Sequence, residues 1–165
     1  MLLYLVQHAE AKKEELDPSR PLSEKGLQDI RKLANYLSQL NIRIFKIFHS
    51  SKLRAKQTAE VISEALTPVK GISEVDGLAP LDDPHIWAGR LKDISDDVML
   101  VGHLPHLSRL SSLLLSGKAD RDLISFRMAG AVCLKREDDV SWSLQWMLTP
   151  DIVGDEGTRP SCDGL

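Results

Sequence analysis

Met1–Leu2–Leu3–Tyr4–Leu5–Val6 is a short apolar run that stops abruptly at Gln7–His8–Ala9–Glu10. Its length and its Leu, Val and Tyr content predict a buried β-strand. The run is unbroken rather than alternating, which points to a parallel strand covered on both faces. Open α/β sheets place their ligands just outside the carboxyl ends of such strands. His8 therefore stands where a functional side chain would stand.

The remaining junctions follow the same grammar. Ala9 to Ser19 is polar and reads as a solvated loop at the strand mouth. Ser23 is an N-cap candidate for a helix whose inner face is Leu27, Ile30, Leu33, Ala34 and Leu37, closed by Asn41. Ile42 to Phe48 reads as a strand that ends at His49–Ser50–Ser51, with Ser51 able to cap a helix from Leu53 to Ala65. Thr67–Pro68 stops that helix, and a short strand lies within Val69 to Val75. Pro84 to Leu91 forms a short helix carrying Trp87. Val98 to Val101 is a second parallel-strand signal, ending in Gly102–His103–Leu104–Pro105 and followed by a helix that Gly117 terminates. Ile124 to Phe126 and Gly130 to Leu134 read as extended. Trp142, Leu144, Trp146 and Leu148 alternate on one face of a last, half-buried strand, joined to its predecessor by a hairpin through Arg136 to Val140.

Strands alternating with helices, then two closing strands, specify a three-layer α/β/α sandwich with a mostly parallel central sheet. The expected organisation is one domain over 1–150 and a loosely attached tail from Asp151 to Leu165. With 165 residues and 42% hydrophobic content, the chain can bury a core of ordinary globular size. Its 21 basic and 24 acidic residues, a formal charge of -3, give no support to a nucleic-acid surface. Cys133 reads as a core residue and Cys162 as part of the tail, with no CxxC pair or disulfide framework. Neither a signal peptide nor a transmembrane stretch is evident, so a cytoplasmic protein without membrane partners is expected.

Three strand ends carry polar groups: Gln7–His8, Ser50–Ser51 with Arg54, and Gly102–His103. If the strands are neighbours, two histidines and an arginine meet in one crevice, with Arg20 entering from the first loop. Imidazole is a nucleophile towards phosphorus, and guanidinium groups match paired phosphoryl oxygens. Arg54 in the first turn of its helix adds the positive end of the helix dipole. His103, if protonated, adds a donor and a charge beside those oxygens. Arg20 could instead pair with Asp17 or Glu24. His49 and His106 read as structural or peripheral, and His85 has no convergent partner.

Four ordered motifs in residues 1 to 150 resemble the histidine phosphatase superfamily, which includes the phosphoglycerate mutases. They are Leu5–Val6–Gln7–His8–Ala9–Glu10–Ala11, Arg20–Pro21–Leu22–Ser23–Glu24–Lys25–Gly26, Ser50 to Ala59, and Val101–Gly102–His103–Leu104–Pro105. The Trp146 to Pro150 ending resembles the small SixA-type phosphohistidine phosphatases within it. The resemblance implies a phosphoglycerate mutase-like fold and a phosphatase that needs neither metal nor cofactor. His8 would be the nucleophile, with Arg54, His103 and Arg20 on the phosphoryl oxygens. It also implies a phosphorylated protein as partner, such as a histidine-containing phosphotransfer domain. The family motif has Arg before the nucleophile and Gly after it; here these are Gln7 and Ala9. Gln7 can give phosphate one or two neutral hydrogen bonds where arginine gives a charged fork. Mutase-like members carry an acid after the third strand; the corresponding region here, Glu74 to Pro84, does not match their longer motif, and its candidate acids are Asp82 and Asp83, which before Pro84 also suit a turn. A phosphoramidate leaves as neutral imidazole and needs a positioned acid less than an ester does. Two further functions stay open: a broad or small-molecule phosphomonoesterase using Asp82 or Asp83, and a phosphoprotein-binding module weakened in catalysis by Gln7.

Overall fold

The structure, a computed structural model, describes residues 1–154. Six strands form one sheet, β1 (Leu2–Gln7), β2 (Lys46–His49), β3 (Ile72–Glu74), β4 (Val98–Gly102), β5 (Ala131–Arg136) and β6 (Trp142–Leu148), in the order β3-β2-β4-β1-β5-β6. The four strands from β3 to β1 run parallel, and β5 and β6 add antiparallel pairings at one side. Helices α1 (Glu24–Gln39) and α2 (Leu53–Leu66) cover one face, and α3 (Pro84–Arg90) and α4 (His106–Ser116) the other. The expected α/β/α sandwich is therefore present.

Strand parity decides which core each side chain joins. Tyr4, Val6, Met99, Val101 and Ile47 pack with Ile30, Leu33, Leu37, Ala59 and Ile62 of α1 and α2. Leu3, Leu5, Val98 and Leu100 pack instead with Trp87 of α3 and Leu107 and Leu110 of α4. β1 and β4 are thus buried on both faces, which is why they read as unbroken apolar runs. Burying one such Leu or Ile contributes roughly 1.5–3 kcal/mol, against about 1 kcal/mol for an N-cap. The apolar stripe therefore seats α1, and the cap only fixes where it begins. That cap is Ser23, whose Oγ accepts from the Gly26 N–H at 3.0 Å and donates to Glu10 Oε1 at 2.6 Å. Gly26 is required there, because a Cβ would stand 2.1 Å from the Glu10 carbonyl oxygen.

Several boundaries differ from the sequence reading. β2 begins at Lys46 rather than Ile42: Ile44 is buried, but Phe45 N–H donates to the Asp97 carbonyl and Ile44 O accepts from Val69 N–H, so this stretch bonds to connecting segments. β3 is confined to Ile72–Glu74. The residue at the start of α2 is Lys52, not Ser51, and its N–H donates to Ser50 Oγ at 3.3 Å. Ile124 to Phe126 is not a strand; Ile124 and Phe126 instead plug the α3/α4 core. The expected single-face alternation of β6 is broken by a bulge. Cys133 pairs with Trp146 and Leu134 with Leu144, so Gln145 is the extra residue and parity flips across it. Trp146 and Leu148 pack towards α1 and α2, Trp142 and Met147 towards α3 and α4, and Leu144 is exposed. Val153 is buried in the α1/α2 core, so packing continues past residue 150 into the segment expected to be loose. Cys133 is buried as expected, whereas Cys162 and the rest of 155–165 lie outside the described residues.

Candidate active site

Parallel β1, β4 and β2 are adjacent, so their carboxyl ends open on one side of the sheet. Gln7 is in register with Gly102, and His49 with Val101. The next residues, His8, His103 and Ser50, are the first to leave three neighbouring strands. Two backbone bonds continue the ladders past their ends, His8 N–H to Gly102 O at 3.0 Å and Ser50 N–H to Val101 O at 3.2 Å.

His8 is held by its own backbone. Its Nδ1 lies 2.7 Å from the Ala9 carbonyl oxygen. A carbonyl only accepts, so Nδ1 carries the proton and the neutral ring keeps its lone pair on Nε2. Arg54 Nε donates to that Nε2 at 3.3 Å. Burial, followed by the charges of Arg54 and Arg20, pushes the His8 imidazolium down to about 4. At neutral pH the ring is uncharged, with the Nε2 lone pair facing a guanidinium. Thr58 ties the arrangement to α2: its Oγ1 accepts from the Ala9 N–H at 3.0 Å and donates to the Arg54 carbonyl at 2.7 Å. Ala9, where the family motif has glycine, is fully buried and does not occupy the left-handed region, so its methyl group is accommodated.

His103 faces His8, with ring centroids 4.9 Å apart, but it is prepared differently. It is 1% exposed; Nε2 is held by Ser50 Oγ at 2.5 Å, and Nδ1 is buried without a partner among the described residues. Burial first, then His8 and nearby cations, lower its value to about 3. His103 is therefore neutral at neutral pH.

Arg20 adopts a left-handed backbone (φ 50°) and donates from Nε to the Lys12 carbonyl at 3.3 Å. It forms no ion pair with Asp17 or Glu24; the Asp17 carboxylate is occupied by Ser19. Its charge is felt by both His8 and Arg54, although no hydrogen bond joins it to either. Gln57 Oε1 accepts from the Leu22 N–H at 2.8 Å and Lys12 N–H from the loop donates to Pro21 O at 2.8 Å, which fixes this segment against α2. Gln7 has its Oε1 buried without a partner among the described residues.

Asp82 and Asp83 are committed locally. Asp82 Oδ2 accepts from the Ala79 N–H at 2.8 Å, while Asp83 caps α3 by accepting from the His85 N–H at 2.9 Å and meets His85 Nδ1 at 2.8 Å. These bonds keep the Asp83 carboxyl below the usual carboxylate range. No hydrogen bond links either acid to His8, Arg54 or His103. His49 is buried, with Nδ1 2.9 Å from Ser50 O. His106 is fully buried with neither ring nitrogen paired among the described residues. In the sequence Ser50 stands at its strand end, and Gln57 and Thr58 within the motif that starts there, without a role; their partners lie in distant segments, His103 for Ser50, Ala9 for Thr58 and Leu22 for Gln57.

Residues 3–104 match the family model of the histidine phosphatase superfamily, branch 1. The chain belongs to this superfamily. It is a phosphatase with the phosphoglycerate mutase-like fold, and it is similar to SixA-type members. Phosphohistidine phosphatase SixA of Escherichia coli K12 is 23% identical over 155 residues, covering 91% of this chain and 94% of that protein. An uncharacterized protein of a Picosynechococcus strain is 33% identical over 124 residues, covering 72% of this chain and 73% of its own. Among solved structures, protein histidine phosphatase SixA complexed with tungstate superposes with a TM-score of 0.81 at 22% identity, covering 92% of this chain and 98% of that one. The alpha-ribazole phosphatase of Shigella flexneri superposes at 0.76 with 13% identity, covering 94% and 100%. Among the described residues, no group of three or more His, Cys, Asp or Glu is placed to hold a metal ion. No helix there is long and apolar enough to cross a membrane.

Proposed function

We propose that this histidine phosphatase hydrolyses phosphohistidine on a partner protein, through a covalent phosphohistidine formed on its own His8. The observation that carries the reading is the preparation of His8: Nδ1 anchored on Ala9 O at 2.7 Å, and Nε2 free of a proton and aimed at Arg54. In the first step the Nε2 lone pair forms a bond to phosphorus as the P–N bond of the substrate breaks. The leaving imidazole nitrogen takes a proton from solvent. Water then attacks phosphorus, the P–Nε2 bond breaks, and inorganic phosphate departs. Arg54, with Arg20 beside it, balances charge on the phosphoryl oxygens, and His103 takes up a proton to join them.

The local bonds of Asp82 and Asp83 argue against a monoesterase that depends on either as acid. Phosphohistidine makes the smaller demand for such a group, and the name of the Escherichia coli relative agrees with that substrate. A histidine-containing phosphotransfer domain is the partner we favour. Gln7 supports a second reading, a phosphoprotein-binding module with little turnover, because a neutral amide stands beside the nucleophile.

The test uses a phosphotransfer domain carrying labelled phosphohistidine. Wild type should acquire an acid-labile label and release phosphate, and His8→Ala should do neither. Equal labelling of the two proteins overturns the nucleophile assignment, and tight binding without release selects the binding module.

A further inference from the structure

A transferring phosphoryl group spreads its negative charge over three oxygens, and most of its stabilisation is electrostatic. The site offers Arg54 and the charge of Arg20; its two histidines are neutral at neutral pH and position 7 is an amide. The site is thus short of positive charge on the side of His103.

Lys52 stands on that side. It precedes α2, two residues before Arg54, and its backbone N–H donates to the same Ser50 Oγ that holds His103 Nε2. Its side chain is exposed and pairs with no carboxylate among the described residues, whereas Lys56, one turn further on, is engaged by Glu60 at 3.9 Å. A lysine is a flexible point charge with three donors and can reach an oxygen that a rigid guanidinium cannot. The helix start beneath it adds the positive end of a dipole.

We propose that Lys52 binds the phosphoryl oxygens on the His103 side and supplies the positive charge that Gln7 does not. After burial, His8 and Arg54, the Lys52 charge also lowers the basicity of His103. The assignment rests on the phosphoryl-site reading of His8, yet it is readable from anion binding alone.

Calorimetric titration with tungstate tests it on wild type, Lys52→Gln, Lys52→Arg, Gln7→Arg and the Gln7→Arg/Lys52→Gln double variant. Removing one charge-assisted contact from wild type should weaken tungstate binding about tenfold or more. Lys52→Arg should stay within about threefold, because the charge is kept. With Gln7→Arg in place, losing Lys52 should cost less than about threefold, the non-additivity expected of two groups serving one ligand. Equal losses in both backgrounds would overturn the proposal, as would no loss in wild type or a wild type that fails to bind tungstate at millimolar concentration. A Lys52-dependent anion site with no turnover of phosphohistidine would uphold Lys52 and defeat the phosphatase mechanism above.

Discussion

The parallel and antiparallel halves of the sheet are built from equally apolar strands, yet they carry different things at their ends. β1, β4 and β2 point the same way, so each delivers its first polar residue to one side: His8, His103 and Ser50. β5 runs against β1 and pairs with β6 through a tight hairpin. At the end that carries these residues, the chain leading into β5 makes backbone bonds to β1, Ala129 N–H to Gln7 O at 3.1 Å and Gln7 N–H to Gly130 O at 3.3 Å. Strand direction, more than composition, concentrates the chemistry.

The contrast breaks most visibly at Arg54. Arg54→Ala should lower kcat/KM for phosphohistidine by about 10²- to 10³-fold, the scale of losing one preorganised donor, while the thermal midpoint stays near that of wild type. A comparable loss of stability would mean that the catalytic half is held together by its site. Steady-state kinetics beside a thermal melt separates the outcomes.

Acid should act on the same half. His8 and His103 titrate near 6.5 when unfolded but at about 4 and about 3 when folded, chiefly through burial. Between these values the unfolded chain binds more protons, so stability is complete above about pH 6.5. It declines as pH falls through His8 towards 4 and His103 towards 3. In the antiparallel half, burial pushes the Cys133 thiol up to about 12, so it stays protonated across this range and adds no slope. Denaturant melts at a series of pH values should show the decline, and His8→Ala should flatten its upper portion. In kinetics, the acid limb of kcat/KM should fall near pH 4 rather than near 6.5, because His8 is neutral above about 4. A limb at 6.5 would contradict the burial described for it.

The smallest effect belongs to the hairpin. Val140 N–H donates to Glu137 O at 3.0 Å and Glu137 N–H to Ser141 O at 2.9 Å, with Val140 in the left-handed region at φ 62°. That conformation costs a β-branched residue about 1–2 kcal/mol, and glycine adopts it freely at some entropic cost. Val140→Gly should raise stability by about 1 kcal/mol and leave turnover unchanged. A lowered melting midpoint would show that the exposed valine contributes more through packing than it loses in strain.

The sequence carried the parallel half well because its signals are local. An unbroken apolar run, Ser23 before an amphipathic stripe, and Gly117 in the left-handed region each act within a few residues. His8, Arg54 and His103 were legible because each follows a recognisable junction. What lay hidden depends on pairing between distant segments. The bulge at Gln145 leaves no compositional mark, yet it flips the parity of β6. Ser50 was visible as a strand-end polar group, but its bond to His103 Nε2 depends on register, and the bond of Arg20 Nε to the Lys12 carbonyl depends on how the first loop folds.

The place of β4 in the sheet has a consequence for how the chain matures. β1 pairs only with β4 and β5, so Leu3 waits for Val98 and Leu134 to arrive from far along the chain. During synthesis β1 is made long before β4 and β5 and is seated late, after loop closures that slow folding. Until then its apolar face stays open to wrong partners. His8 N–H has no Gly102 carbonyl to bond before β4 is in place. A truncated chain that stops short of β4 would carry His8 and Arg54 yet lack the scaffold that aligns them, so on the function proposed above phosphoryl binding would itself report completed folding.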